Sequence, residues 1–421
     1  MLQIIPARPI DARVQLPGSK YIANRLIPLC ALASTPSRLT NVVDNDDIQA
    51  AISGLKALGY RISIDGSQLT INPRTKIPTN KVTLNTAHSG TFSRFITGLA
   101  ALQDVPVTIE CSAKMATRPM AELFDSLKEL GVTIDSPNQK LPATITGPVK
   151  FESCQLDAGR SSQFLSSLLM IAPLLSQGME IKLIGKQVSS SYVDMTIFWM
   201  NQMSVHVDRQ SDQININGGQ NYQGIEASIP GDAVSASYFM ALVGISGGKI
   251  EIDSFDHHSL QGESKFYQVL EKMGMSFEKK GDSLIVSGSG SLQAIEVDMS
   301  EMPDVVQTLA VMACFANGTT LIKNIAHLAY KESNRIKDTA TELIKTGIKI
   351  EFGEDFLKIE GGVPHSATIE TYDDHRMAMS MALLGCKTEG ITILEHKVVN
   401  KSFPKYWDMM KSCGLDSKIL S

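Results

Sequence analysis

The chain has 421 residues, 43% apolar and 20% charged, with a formal net charge of −5; that length and apolar content suit two or three domain cores and exclude general disorder. A negative overall charge excludes capture of nucleic acid or anionic membrane by the whole field, so any anion site must be local. The six cysteines (Cys30, Cys111, Cys154, Cys314, Cys386, Cys413) form no C-x-x-C pair, and the longest apolar run, FLSSLLMIAPLL, is short and holds a proline; no zinc site, disulfide framework or membrane span is signalled, and a cytoplasmic location is expected.

In chain order, LQIIPARPIDARVQL alternates as two strands. LPGSKYIANR (16–25) then ends a strand and opens a helix, placing Lys20 and Arg25 where backbone N–H groups favour anions. It lacks the Walker A spacing, and alone it reads as a solvated helix start. HSGTFSRF (88–95) puts Gly90, hydroxyls and Arg94 at a second helix entry, with Gly90 open to close approach by a ligand. In TRPM (117–120), Pro119 suits a first helical turn with Arg118 at its mouth. Runs of hydroxyls open two further helical patterns, at Ser161-Ser162-Gln163 and at Ser189 to Tyr192; they serve as caps and as neutral donors to a phosphate.

Pro230 to Asp232 forms a break, after which MPDVVQTLA places Asp304 at another helix start. In KESNR (331–335), Lys331 and Arg335 are four apart and would share and repel across a helical face unless an anion lay between them, with Glu332 beside them as a proton carrier. YDDHRMAMSMALL sets Asp373, Asp374, His375 and Arg376 before an apolar helix; an acidic N-terminus is the plainer reading, and an acid or ligand role for His375 the sharper one. No second histidine lies at metal-ligand spacing, and Lys401 precedes a proline in NKSFPKYW.

One phrase recurs through these elements: a helical pattern, a small residue, then strands around a turn. It begins at Leu55, Leu127, Met200, Leu270 and Leu343, with Gly59, Gly131, Ser204, Gly274 and Gly347 as the small residue, and a sixth copy, MMKSCGL, breaks off. Six such units suit two domains of three, one over residues 19–230 and one over 1–18 plus 231–421, closed by the N-terminal strand. The breaks near Gly18 and Pro230 would then be two crossings forming a hinge. A solenoid of six stacked units is the alternative, and nothing resembles its capping repeats. The polar signals all fall at helix starts in corresponding places, so an acidic chain gathers Lys20, Arg25, Arg94, Arg118, Lys331, Arg335, Arg376 and Lys401 for phosphates and carboxylates.

With LPGSK…NR, SGT..R, RPM, SSQF, S..Y.D, PD…T, KE..R, DHRMAM and KSFP in this order, the chain resembles the 5-enolpyruvylshikimate-3-phosphate synthase family nearly end to end. The resemblance implies an α/β fold of two domains, each with three βαβαββ repeats in an inside-out α/β barrel, the enolpyruvyl transferase fold, closing on the substrates. It implies transfer of the enolpyruvyl group of phosphoenolpyruvate to the 5-hydroxyl of shikimate-3-phosphate with release of phosphate, a step of the shikimate pathway to aromatic amino acids. By motif position, the phosphoenolpyruvate contacts fall on Lys20, Gly90, Arg118, Gln163, Arg335, Arg376 and Lys401. Those to shikimate-3-phosphate fall on Arg25, Ser161, Ser162, Gln163, Ser189, Tyr192, Asp304 and Lys331. The catalytic set is Asp304 as base, Glu332 as acid, with Lys20 and His375 sharing proton transfer. No cofactor, metal, nucleic acid or membrane partner is implied, and a monomer is expected.

Three positions depart from the family's pattern, Tyr21, His88 and His327, all on the acceptor side. They leave open a paralogous enolpyruvyl transferase with another hydroxyl acceptor. A non-catalytic anion-binding protein on the same scaffold would lack Asp304, Glu332 and His375, which are present. The sister family using UDP-N-acetylglucosamine carries a cysteine where this chain has Ala113, Cys111 lying two residues earlier.

Overall fold

The computed structural model describes residues 1–185 and 187–420. Contacts divide the chain into a contiguous unit, Gly18–Ile229, and a split unit made of Met1–Pro17 together with the chain from Pro230 onward.

The recurring phrase builds one local structure each time. In its first copy Asn45 caps helix Asp46–Ala57 by accepting from the Ile48 amide at 3.0 Å, and acidic Asp46 and Asp47 lie in the first turn with Lys56 in the last, each matched to the helix dipole. Gly59 (φ +87°) ends the helix in the left-handed region, and strands Arg61–Asp65 and Gln68–Asn72 follow as a hairpin. Gly131, Gly274 and Gly347 repeat this, and Ser204 does so at φ +67° despite its Cβ.

Each copy belongs to a four-stranded sheet of constant plan. In the third, Ser153–Asp157 runs parallel to Gly178–Ile184, which pairs antiparallel with Gln213–Asn217, itself antiparallel to Asp208–Arg209. The crossover between the parallel pair is helix Ser162–Ile171, and helix Ser190–Gln202 leads to the hairpin, giving βαβαββ. Among the described residues there are six sheets of this kind plus one two-stranded pairing, and none closes on another into a hydrogen-bonded barrel.

The first helix of every copy is the buried one. Lys20–Leu32, Gly90–Ala100 and Ser162–Ile171 in the contiguous unit, and Ala233–Ser246, Val306–Ala313 and His375–Ala382 in the split unit, are buried nearly all round. The strands alternate instead, as in the exposed-buried pattern of Ser153–Asp157. Helices therefore form the centre of each unit and sheets its outer wall, so the inside-out part of the expectation is met by burial rather than by barrel closure.

The N-terminal stretch forms two strands that do not pair with each other. Leu2–Ile4 lies between Thr392–Ile393 and Ser417–Ile419 in the sixth sheet, whereas Ile10–Gln15 runs parallel to Gly248–Asp253 in the fourth. In the contiguous unit the corresponding first strand is Glu226–Ser228, parallel to Ser37–Thr40. Among the described residues no helix is long and apolar enough to cross a membrane.

Candidate active site

In the split unit the polar residues converge on one guanidinium. Arg335 is the first residue of helix Arg335–Lys345 and is 1% exposed. Its NH1 donates to Asp304 Oδ1 at 2.6 Å, its NH2 to Glu332 Oε2 at 2.9 Å, and its Nε to Asp374 Oδ2 at 2.8 Å. Burial alone would disfavour this charge, but Asp374, Glu332 and Asp304 more than offset it and raise the pKa above the usual arginine value. Three carboxylates around one buried cation hold its geometry tightly, because losing either side would leave an uncompensated charge.

Asp374 is the organiser of this group. It caps helix His375–Ala382 through the Arg376 amide at 2.9 Å, accepts from Ser333 Oγ at 3.0 Å and stands 3.7 Å from His375 Nδ1. Arg376 NH1 donates to the Tyr238 hydroxyl at 2.9 Å and NH2 lies 3.9 Å from Asp304 Oδ2. Lys401, at the end of the 3-10 turn His396–Lys401, donates to Glu332 Oε1 at 3.1 Å, so Glu332 is bridged by two cations. Asp304 stands in the 3-10 turn Pro303–Val305, and its amide donates to the fully buried Glu263 at 3.3 Å.

Two expectations for KESNR are corrected. Lys331 is extended, four residues before the helix starts, so it shares no helical face with Arg335. The negative partners of Arg335 are the chain's own carboxylates. Lys331 instead acts on His327, which burial first and then Lys331 push down to about 4, with Asp304 pulling the other way.

The contiguous unit carries the remaining residues in two linked groups. Lys20 opens helix Lys20–Leu32, and its Nζ donates to Asp47 at 3.1 Å with both side chains buried. One turn later Arg25 donates to Thr196 Oγ1 at 2.8 Å, to the Tyr192 carbonyl at 3.3 Å and to the Tyr21 carbonyl at 3.0 Å. Its guanidinium lies 5.4 Å from the Tyr192 ring centre, and burial lowers its pKa to about 10. Tyr21 packs on Tyr192 with ring centres 5.4 Å apart, and Lys20 Nζ lies 5.5 Å from the Tyr21 ring. Ser189 precedes helix Ser190–Gln202 in the left-handed region and makes no side-chain cap, contrary to its reading as an N-cap; its carbonyl accepts from the Tyr192 amide.

The second group centres on Gly90. A Cβ there would lie 2.8 Å from Arg118 Cζ and 2.9 Å from Arg94 NH1, so any other residue would push these guanidinium ends aside. Arg94 NH1 donates to Gln163 Oε1 at 2.8 Å, and Gln163 Nε2 to Thr91 at 2.9 Å. Ser161 caps helix Ser162–Ile171 through the Gln163 amide, as the hydroxyl run predicts, and Ser162 is buried in its first turn. Arg118 precedes helix Ala121–Glu129, which starts two residues after Pro119, so the proline lies outside the first turn. His88 is exposed beside this group.

Asp304, Glu332, Arg335, His375, Arg376 and Lys401 thus gather in the split unit, and Lys20, Arg25 and Tyr192, with Gly90, Arg118 and Gln163, in two groups of the contiguous unit. Sequence reasoning missed Asp47, Thr196, Tyr238 and Glu263. Asp47 lay in a run, DNDD, whose local signal is helix capping, and nothing local marks the other three. Among the described residues no cluster of three or more His, Cys, Asp and Glu is arranged for a metal.

A family model described as EPSP synthase (3-phosphoshikimate 1-carboxyvinyltransferase) matches residues 4–410. Relatives named 3-phosphoshikimate 1-carboxyvinyltransferase include one from Trichormus variabilis, 39% identical over 413 residues that cover 96% of this chain and 97% of that protein. Another, from Yersinia pseudotuberculosis, is 37% identical over 420 residues, 97% of this chain and 98% of that protein. Among solved structures, the EPSP synthase of Acinetobacter baumannii aligns with a TM-score of 0.82 at 24% identity over 100% of this chain and 99% of that one. The enolpyruvyl transferase NikO of Streptomyces tendae aligns at 0.76 and 15% identity, over 99% and 98% of the two chains; these two alignments speak for the fold. From the matched length and the identity to its relatives, the chain belongs to the EPSP synthase (3-phosphoshikimate 1-carboxyvinyltransferase) family.

Proposed function

We propose that the protein transfers the enolpyruvyl group of phosphoenolpyruvate to the 5-hydroxyl of shikimate-3-phosphate and releases phosphate, working in the cytoplasm as a monomer. Beyond family membership, the observation that carries this reading is the Arg335 cluster. One carboxylate, Asp304, and a second, Glu332, are held by the same buried guanidinium, with Lys401 and Arg376 alongside. An addition–elimination needs such a set: two proton carriers in fixed positions and cations to stabilise a multiply anionic intermediate.

In the proposed reaction the acceptor hydroxyl oxygen attacks C2 of phosphoenolpyruvate and its proton passes to Asp304. Glu332 donates a proton to C3, which becomes a methyl group, and a tetrahedral intermediate forms at C2. Glu332, now a carboxylate, takes a proton back from that methyl, the C2–C3 double bond returns, and the C2–O bond breaks with its electron pair leaving on the phosphate, which takes up the proton held at Asp304. Lys20 and His375 share the proton movements.

Lys20, Gly90, Arg118, Gln163, Arg335, Arg376 and Lys401 are proposed to receive phosphoenolpyruvate. Arg25, Ser161, Ser162, Gln163, Ser189, Tyr192, Asp304 and Lys331 are proposed to receive shikimate-3-phosphate. Arg25 suits a phosphate because its charge is buried with mostly neutral partners, two backbone carbonyls and a threonine hydroxyl.

Phosphate release from phosphoenolpyruvate and shikimate-3-phosphate tests the reading. Asp304→Ala is expected to lose at least about 100-fold in kcat while staying folded. Wild-type turnover no faster than that of the variant would sink it.

A further inference from the structure

The turn that presents Asp374, His375 and Arg376 is conformationally unfavourable on its own. Tyr372 and Asp373, immediately before Asp374, both have φ of +53°, the left-handed region where a Cβ crowds the backbone. Two successive residues of this kind persist only where surrounding contacts impose them.

Glu342 supplies two of those contacts. It is fully buried, and its Oε1 accepts from the Tyr372 hydroxyl at 2.6 Å while Oε2 accepts from the Glu370 amide at 3.0 Å. Lys345 Nζ donates to both oxygens, at 2.8 and 2.7 Å, and neutralises the buried charge. Glu342 stands seven residues after Arg335 on helix Arg335–Lys345, two turns along and on nearly the same face. One rigid helix therefore holds the 370–374 segment at two points: Glu342 at residues 370 and 372, and Arg335 at Asp374 through two hydrogen bonds.

We infer that Glu342, acting through Tyr372, is a positioning residue that sets the orientation of Asp374, His375 and Arg376 against Arg335. The hold at residues 370 and 372 adds a second point to the contacts at Asp374 and so restrains the rotation of the turn. Glu342 touches none of the reacting groups itself. The inference rests on the enolpyruvyl transfer reading for its kinetic consequence, but its structural content does not depend on that reading.

The test uses the full-length protein with Tyr372→Phe, which removes only the hydroxyl, and with Glu342→Gln. Both are expected to raise the KM for phosphoenolpyruvate at least fivefold and to lower kcat, with the KM for shikimate-3-phosphate changed less than twofold. Amide exchange at Asp374 to Arg376 should accelerate at least tenfold in both. Adding Asp373→Gly to Tyr372→Phe relieves one left-handed position and should recover at least threefold in kcat/KM. Wild-type exchange rates at these amides in Tyr372→Phe, or no recovery from the glycine, would overturn the inference. A wild-type protein that releases no phosphate would instead overturn the transfer reading, and the exchange measurement would still decide the role of Glu342.

Discussion

Gly90 and His327 show how a single side chain acts through its neighbours. A methyl group at position 90 would press on Arg118 and Arg94, both within 3 Å of the added atom. Gly90→Ala is therefore expected to raise the KM for phosphoenolpyruvate by on the order of tenfold, while the fold survives because the guanidinium ends can shift; steady-state kinetics at saturating acceptor would measure it. His327 makes a different prediction, about acid. The unfolded chain protonates this imidazole near its ordinary 6.5 and the folded protein only near 4, since burial and Lys331 oppose the charge. Between those values the unfolded state binds more protons, so this contribution is intact above pH 6.5 and is lost as pH falls towards 4. His327→Asn should thus lose less stability between pH 7.5 and pH 5 than the wild type, by on the order of 1–2 kcal/mol. Equal losses for the two proteins in urea titrations at both pH values would contradict it. At this scale the sequence showed which side chains were unusual, because glycine and histidine stand out in a motif. It did not show the partners of Arg335, since Asp304 and Asp374 are 31 and 39 positions away and no local pattern encodes such a meeting.

Secondary elements repeat a single rule, and one copy breaks it. Four of the helices that lead into hairpins end on glycine at positive φ, and the fifth ends on exposed Ser204 at φ +67°. Ser204→Gly removes the Cβ clash at that turn and is expected to stabilise by about 0.5–1 kcal/mol, after the extra chain entropy of glycine is set against the relief. A shift of Tm upward without any change in turnover would be the sign, and a fall in Tm would contradict the strain argument. One helix start was readable for the same reason as the helix ends: Ser161 caps its helix as the hydroxyl run suggests, while the caps at Asn45 and Asp374 emerge only in the structure. Where the reading failed, Ser189 approaches its helix left-handed and uncapped, and Pro119 and Lys331 stand before their helices begin. Capping rules describe isolated helices and carry no information about such approaches.

The whole molecule adds the joining of distant segments. Ile4 is 2% exposed and packs against Gly385, inside a sheet whose other strands come from the last 54 residues of the chain. Ile4→Ala is expected to cost about 2–4 kcal/mol in a urea unfolding experiment. A loss under 0.5 kcal/mol would show that the strand only decorates the sheet. The sequence by itself determined the repeat, its turns and the placing of Lys20, Ser161 and Arg335 at helix starts, because these depend on neighbours a few residues apart. Tertiary structure alone decided that Leu2–Ile4 and Ile10–Gln15 enter different sheets, that Glu226–Ser228 takes the matching place in the contiguous unit, and that three carboxylates surround Arg335. Strand partners and buried ion clusters are chosen by packing between segments far apart in the chain, where many pairings are locally equivalent and only the complete core separates them.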